Sequence, residues 1–324
     1  MKTCMLVLTA LPLALAASAA GAQSPKTPWG HPDLQGTWSN ATLTPLQRPL
    51  ELKDKEFFTA EEAKAYVKQR LAAQSGDENI EKDKATGNVG SYNDAWMDRG
   101  NDIVPTRRTS LIVEPKTGRV PPFTAEAQQQ FAREQAYAAT HPADTPEDRY
   151  LTERCIGFGG GHAPMLPEPY NNNYYIVQTK DYVSILAELN HEVRIIPLDG
   201  RAHFPAGVTQ WVGDSRGKWE GDTLVVETTQ TKPNRHYYGV QMLDSVMSDK
   251  FRVVERFTRT APDQIRYQAT VYDAVFTTPW TVEIFMHPQK GEIVEYACHE
   301  GNYGMRGLLS AAREEEKKAT EGKR

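Results

Sequence analysis

Three cysteines in 324 residues are too few for a disulfide scaffold, and a chain this long can bury a large core without one. Basic residues are in slight deficit, 37 Lys and Arg against 42 Asp and Glu, for a formal charge of −5. That balance disfavours a nucleic-acid partner, which needs a basic face. Beyond the N-terminus there is no long apolar run, and the mean hydropathy is −0.59. No membrane-spanning segment is expected, since a span takes about 20 apolar residues. Three catalytic signatures are also missing: G-x-x-x-x-G-K-[ST], H-E-x-x-H and G-x-S-x-G. Phosphate-loop, zincin and nucleophile-elbow readings therefore lack their motifs. After residue 151 no helical pattern of about 10–15 residues intervenes between strand signals, so a parallel βαβ sheet is disfavoured.

What is present begins with a leader. Met1-Lys2-Thr3 precedes an apolar run from Met5 to Ala17 and small residues ending at Ala22. This three-part pattern predicts a secretory signal peptide over 1–22, cleaved after Ala22, and a periplasmic or secreted protein. Cleavage removes Lys2 and no acidic residue, taking the formal charge from −5 to −6. It also removes Cys4, leaving Cys155 and Cys298. An even pair in an oxidising compartment predicts a disulfide. Closing so long a loop contributes about 4–5 kcal/mol in the chain-entropy model.

Residues 23–150 read as a mixed α and β segment wrapping the core. Gly36-Thr37-Trp38 resembles the opening motif of lipocalins, in which the Trp plugs one barrel end; a Trp on any core reads the same. Thr59 and Glu62 have capping-box spacing ahead of a helix to about Ala73. Gln74 to Val89 reads as an exposed, mobile loop. Thr109–Val120 has the form of a hairpin turning at Pro115–Gly118, and Thr124 caps a second helix from Ala125 to about Ala139. From Leu151 onward the chain is β-rich. Strands are predicted at 174–179, 182–190, 193–198, 223–229, 251–258, 265–272, 280–287 and 293–298, separated by turn chemistry. Eight strands in sequence order over 151–310 predict an antiparallel up-and-down β-barrel, with a two-sheet β-sandwich as the alternative. Residues 311–324 read as a charged flexible tail.

Period-2 alternation picks out polar groups in apolar rows. His191 is next in the row Val183, Ile185, Ala187, Leu189; Glu255 lies between Val253 and Phe257; Glu300 extends Val294, Tyr296, Cys298. Burying such groups costs several kcal/mol unless they are paired or used. They pair with Arg194, Arg256 or backbone in one reading. In the other, His191 is the general base or acid, Glu255 or Glu300 its partner, and Arg194 stabilises developing negative charge. His299 adjoins Glu300 at the same rim. A metal reading draws on His191, His203 and His299 with Glu188 or Glu300, without spacing support. Ser215 sits in an expected turn. No cofactor or metal is expected.

Pro28-Trp29, Pro32–Trp38, Arg194–Gly200, Trp219–Thr228 and Tyr296–Tyr303 resemble the motifs of a family of exported bacterial proteins of unassigned function, across nearly the whole chain after the leader. The resemblance implies export and a β-rich body and assigns no site residues. In that pattern the place of His162 is more often proline. Two functions follow from these readings: a cofactor-independent lyase, isomerase or hydrolase acting on a small, partly apolar or aromatic molecule in a barrel pocket, or a lipocalin-like carrier of a small apolar ligand that does no chemistry.

Overall fold

The computed structural model describes residues 25–73, 97–157, 161–232 and 247–321. The leader and the 74–89 loop lie outside the described residues, as does part of the glycine-rich run near 158–160.

Among the described residues ten strands build one antiparallel sheet: β1 (Gly36–Ser39), β2 (Ile112–Glu114), β3 (Asn173–Gln178), β4 (Tyr182–Ala187), β5 (Val193–Pro197), β6 (Asp214–Glu220), β7 (Thr223–Thr229), β8 (Arg252–Ala261), β9 (Gln264–Tyr272) and β10 (Trp280–Pro288). Hydrogen-bonded neighbours run β5-β4-β3-β1-β10-β9-β8-β7-β6, with β2 added beside β10. Apart from β2, this is sequence order around a ring. The two ends, β5 and β6, lie against each other, so the sheet is a nearly closed up-and-down barrel. Alternation sets the inside. Val183, Ile185, Leu224, Val226, Val253, Phe257, Ile265, Tyr267, Val282 and Ile284 are buried, while their strand neighbours point outward.

The β5–β6 seam is not a ladder. At Gly217 a side chain would have no room, because its Cβ would lie 2.7 Å from Leu198 Cδ2 and 2.8 Å from Ile196 Cγ2. Glycine lets β6 come this close to the end of β5.

Among the described residues three α-helices accompany the barrel: α1 (Ala60–Ala73), α2 (Ala125–Thr140) and α3 (Tyr303–Glu321). The expected capping box on α1 is present, Thr59 N–H donating to Glu62 Oε2 at 2.9 Å and Glu62 N–H to Thr59 Oγ1 at 3.2 Å. On α2, Ala127 N–H donates to Thr124 Oγ1 at 3.2 Å. Trp38 is buried, donates from Nε1 to Leu34 O at 3.0 Å, and has the Arg259 guanidinium 5.2 Å from its ring centre. The Cys155–Cys298 disulfide forms, with Cα atoms 5.7 Å apart. No helix among the described residues is long and apolar enough to cross a membrane.

Several local expectations are corrected. The closing strand at 293–298 does not form, because both edges of β10 are taken. β9 lies along one edge, and β1 and β2 share the other. The 109–120 segment turns at Pro115–Gly118 without making a hairpin. Its return arm is held by Arg48 N–H donating to Gly118 O at 2.7 Å and by Val120 N–H donating to Gln47 Oε1 at 3.2 Å. Its leading arm, β2, pairs with β10 instead. The expected tail is helical through Glu321, its Ala, Arg, Glu and Lys being good helix formers. β6 is a strand where a turn containing Ser215 was expected. Ser215 is buried and shares a hydrogen bond with Thr228 Oγ1 at 2.9 Å.

The seam supplies a first test. Gly217→Ala should lower stability by about 1–3 kcal/mol through overpacking against Ile196 and Leu198. Chemical denaturation measures it, and an unchanged midpoint would mean that the seam opens freely.

Candidate functional site

Two of the five residues singled out from sequence meet inside the barrel. β5 presents Arg194 and β8 presents Glu255, with side chains 2% and 0% exposed. The guanidinium grips the carboxylate in two places, Nη1 to Oε1 at 3.0 Å and Nη2 to Oε2. From β9, Tyr267 Oη donates to Glu255 Oε1 at 2.9 Å while accepting from Met165 N–H at 2.8 Å. Tyr174 on β3 stands beside them, its hydroxyl accepting from Asn40 Nδ2 at 3.3 Å. Burial pushes both phenols above their usual range; the Glu255 charge adds to this for Tyr267, the Glu168 charge for Tyr174, and Arg194 opposes it in both. Both tyrosines stay protonated. Every oxygen of Glu255 is satisfied by a neighbour, and the pair is closed to solvent. Its geometry is that of a clamp across the barrel.

The other three do not join it. β4 ends at Ala187, and the chain turns through Asn190 and His191 with φ of 61° and 54°, so the apolar row stops short and His191 is exposed. His299 and Glu300 are exposed on the segment that follows the disulfide, off any strand. Among the described residues no three His, Cys, Asp or Glu side chains gather to hold a metal ion. His162 is buried, with Nε2 3.0 Å from Glu192 Oε2.

A different cluster lies on the outer face. A groove of about 420 Å³ runs over β6, β7 and β8, bounded by the turn at 200–203. The register lays out its surface: Arg216 is paired with Glu227 and Lys218 with Val225. Val225 is in turn paired with Arg256, and Glu227 with Val254. The floor is therefore Val225 and Val254, and the walls are ionised.

At one end stands a carboxylate–imidazole pair. The side chain of Asp214 is 3% exposed and that of His203 is 23% exposed. Asp214 Oδ2 accepts from His203 Nδ1 and from Phe204 N–H, each at 2.9 Å, while its Oδ1 accepts from Arg216. Arg216 also donates from Nε to Ala202 O at 3.1 Å and lies 5.3 Å over the Phe204 ring, which fixes the turn against β6. A carboxylate only accepts, so Nδ1 carries a hydrogen toward Asp214. Nε2 lies 3.4 Å from Oε1 of Glu227, which also lines the groove. Glu227 is itself held by Arg252 Nη1 at 2.8 Å. The arrangement can take a proton at Nε2 and stabilise the imidazolium between two carboxylates.

In the sequence His203 reads only as a candidate metal ligand, and Asp214 only as part of a turn. No spacing motif links them, since a turn carries one and a strand the other. One signal was available: Gly221-Asp222 is a two-residue loop with Gly221 at φ 60°, joining Glu220 and Thr223, which pair. Such a loop demands a strand before it, placing Asp214 on β6 despite its polar sequence.

The clamp is testable. Glu255→Gln or Arg194→Met alone should destabilise by about 3–5 kcal/mol, because each strands a buried charge or donor. The double variant Arg194→Met with Glu255→Leu should recover most of that loss in thermal melts. A double variant no more stable than the singles would sink this account.

Alkaline titration gives a second readout. Unfolded tyrosine ionises near 10.0, whereas native Tyr267 holds its proton well above that. The stability this contributes is complete below pH 10 and is lost as pH rises beyond it. Tyrosinate absorbance should show one fewer tyrosine resisting ionisation until unfolding in Tyr267→Phe than in the wild type.

No family model, curated protein or solved structure matches the chain, so the functional reading stands on the geometry of the groove.

Proposed function

We propose that the protein is an exported acid–base enzyme acting on a small, partly apolar molecule, with its reacting groups on the outer face of the barrel. The observation that carries this reading is the His203–Asp214 pair, a half-buried imidazole whose Nδ1 is held by a buried carboxylate 2.9 Å away. His203 Nε2 is the proton acceptor, Asp214 fixes its tautomer, and Glu227 receives the N–H that forms. This keeps the reaction class expected from the sequence, proton transfer without a bound cofactor, and moves it from the interior to the groove. Arg194 and Glu255 hold the barrel behind it. Export rests on the leader pattern and accords with the Cys155–Cys298 bond.

The barrel supports a second reading, a carrier of a small apolar ligand, on the strength of its near closure and its Gly36-x-Trp38 opening. One experiment separates the two. Mature protein and its His203→Asn variant are incubated with small-molecule extract from the producing cells, and mass spectrometry follows what is consumed and what stays bound. The enzyme reading expects a compound converted by the wild type and at least 100-fold more slowly by His203→Asn, a loss in the range of general-base catalysis, with equal melting temperatures. An intact ligand that co-purifies with both proteins and is never converted would overturn it.

A further inference from the structure

The groove also carries a binding element for a charged group. Beyond His203 its lining includes Arg201, Arg216, Lys218 and Arg256 against Glu220 and Glu227, four cations to two carboxylates. These cations are not equally available. Arg216 is committed, since it holds buried Asp214 and two backbone oxygens. Arg201 is committed too, to Asp199, whose carboxyl it pulls down to about 2, and to Tyr182 Oη at 2.9 Å.

Lys218 and Arg256 differ. Both lean on the one carboxylate of Glu220, at 2.8 Å and 3.0 Å, with side chains 70% and 42% exposed. Exposed pairs of this kind contribute little and exchange readily with an incoming ion. Two cations sharing one carboxylate leave an uncompensated positive charge. Glu220 itself is held below the usual carboxylate range, first by Lys218 and then by Arg256. Between the two cations lies Val225, paired in register with both Lys218 and Arg256. An anionic group seated on them places the body attached to it on Val225 and Val254.

We propose that the groove binds a small molecule bearing one anionic group, a carboxylate or a phosphate, held by Arg256 and Lys218, with its apolar body on Val225 and Val254 and extending toward His203. This rests on the proposed acid–base reading only in identifying the ligand as substrate; binding itself is independent of turnover. An arginine fork suits the planar carboxylate or the phosphate face, and the lysine adds a point charge.

The probes are benzoate, phenyl phosphate and uncharged benzamide, titrated into the full mature protein and followed by calorimetry and by amide NMR shifts of Val225 and Val254. The expected result is that at least one anion binds 10-fold or more tightly than benzamide and weakens as salt rises, and that Arg256→Gln removes this preference without changing the melting temperature. Which anion binds tighter distinguishes a carboxylate site from a phosphate site. Equal binding of charged and uncharged probes, or no binding by any of them, would overturn the proposal. So would an anion preference that survives both Arg256→Gln and Lys218→Gln. The outcomes separate from those of the acid–base reading. Anion binding retained in His203→Asn supports the site even if no conversion is found, whereas conversion that depends on His203 without anion preference keeps the enzyme and removes this site.

Discussion

A barrel that closes by hydrogen bonds everywhere except one seam must close that seam by other means. Here the ladder runs from β5 round to β6 and stops, leaving two strand edges side by side. Unpaired edges cost stability and invite other chains. Three devices meet this constraint. Gly217 removes the side chain that would hold β6 away from Ile196 and Leu198. Inside, Arg194 on β5 reaches across to Glu255 on β8, the third strand beyond the seam. Outside, the turn after β5 folds over β6 and is fixed there through Arg216, Ala202 and Asp214. The seam is bridged by side chains on both faces of the sheet.

These bridges differ in what else they can do. The inner one is dry. An ion pair with both partners at 2% exposure or less gains strong Coulomb attraction against a desolvation penalty of several kcal/mol per ion, so it lasts only if every donor and acceptor is matched. Three donors, two from Arg194 and one from Tyr267, hold the Glu255 carboxylate, and the Met165 amide in turn holds the Tyr267 hydroxyl. The outer bridge is half wet. His203 spends one nitrogen on Asp214 and presents the other to a groove that a small molecule can enter. The same requirement, closing the seam, yields a structural charge pair on one face and, in the proposed reading, a reactive one on the other.

The barrel was legible because its signals were local. Val183, Ile185, Val253, Phe257, Ile265 and Tyr267 alternate with polar residues, and turn residues separate the runs, so seven of the eight expected strands and their antiparallel order followed. Glu255 was legible as a polar group in a buried row and Arg194 as a candidate partner, although their pairing across the barrel left no trace in spacing. What escaped depended on competition between distant segments. Residues 293–298 have strand composition, but β1, from the other end of the chain, takes the edge of β10 they would need. β6 has poor strand composition, yet forms because β7 offers a complete partner through the two-residue Gly221-Asp222 loop. His203 and Asp214 meet only because that strand exists. A site assembled by a strand with no strand signal cannot be read from periodicity.

The placement bears on how the groove holds its geometry. Asp214, Arg216, Lys218, Glu227 and Arg256 stand on three strands locked in continuous register, so their spacing is set by the sheet rather than by loops. Only His203 comes from a turn, and that turn is fastened by the residue it serves, since Asp214 accepts from both the His203 ring and the Phe204 amide. A catalytic imidazole needs its orientation fixed closely, and a second hydrogen bond from the same carboxylate to the adjacent backbone supplies that. In the proposed reading, binding and proton transfer divide along the strands. The exchangeable cations lie toward the hairpin end of β6, where exposure is high, and the fixed dyad lies at its start, where Asp214 is buried. Between them Val225 and Val254 leave a short apolar stretch, which matches a molecule with a charged end and a reactive one.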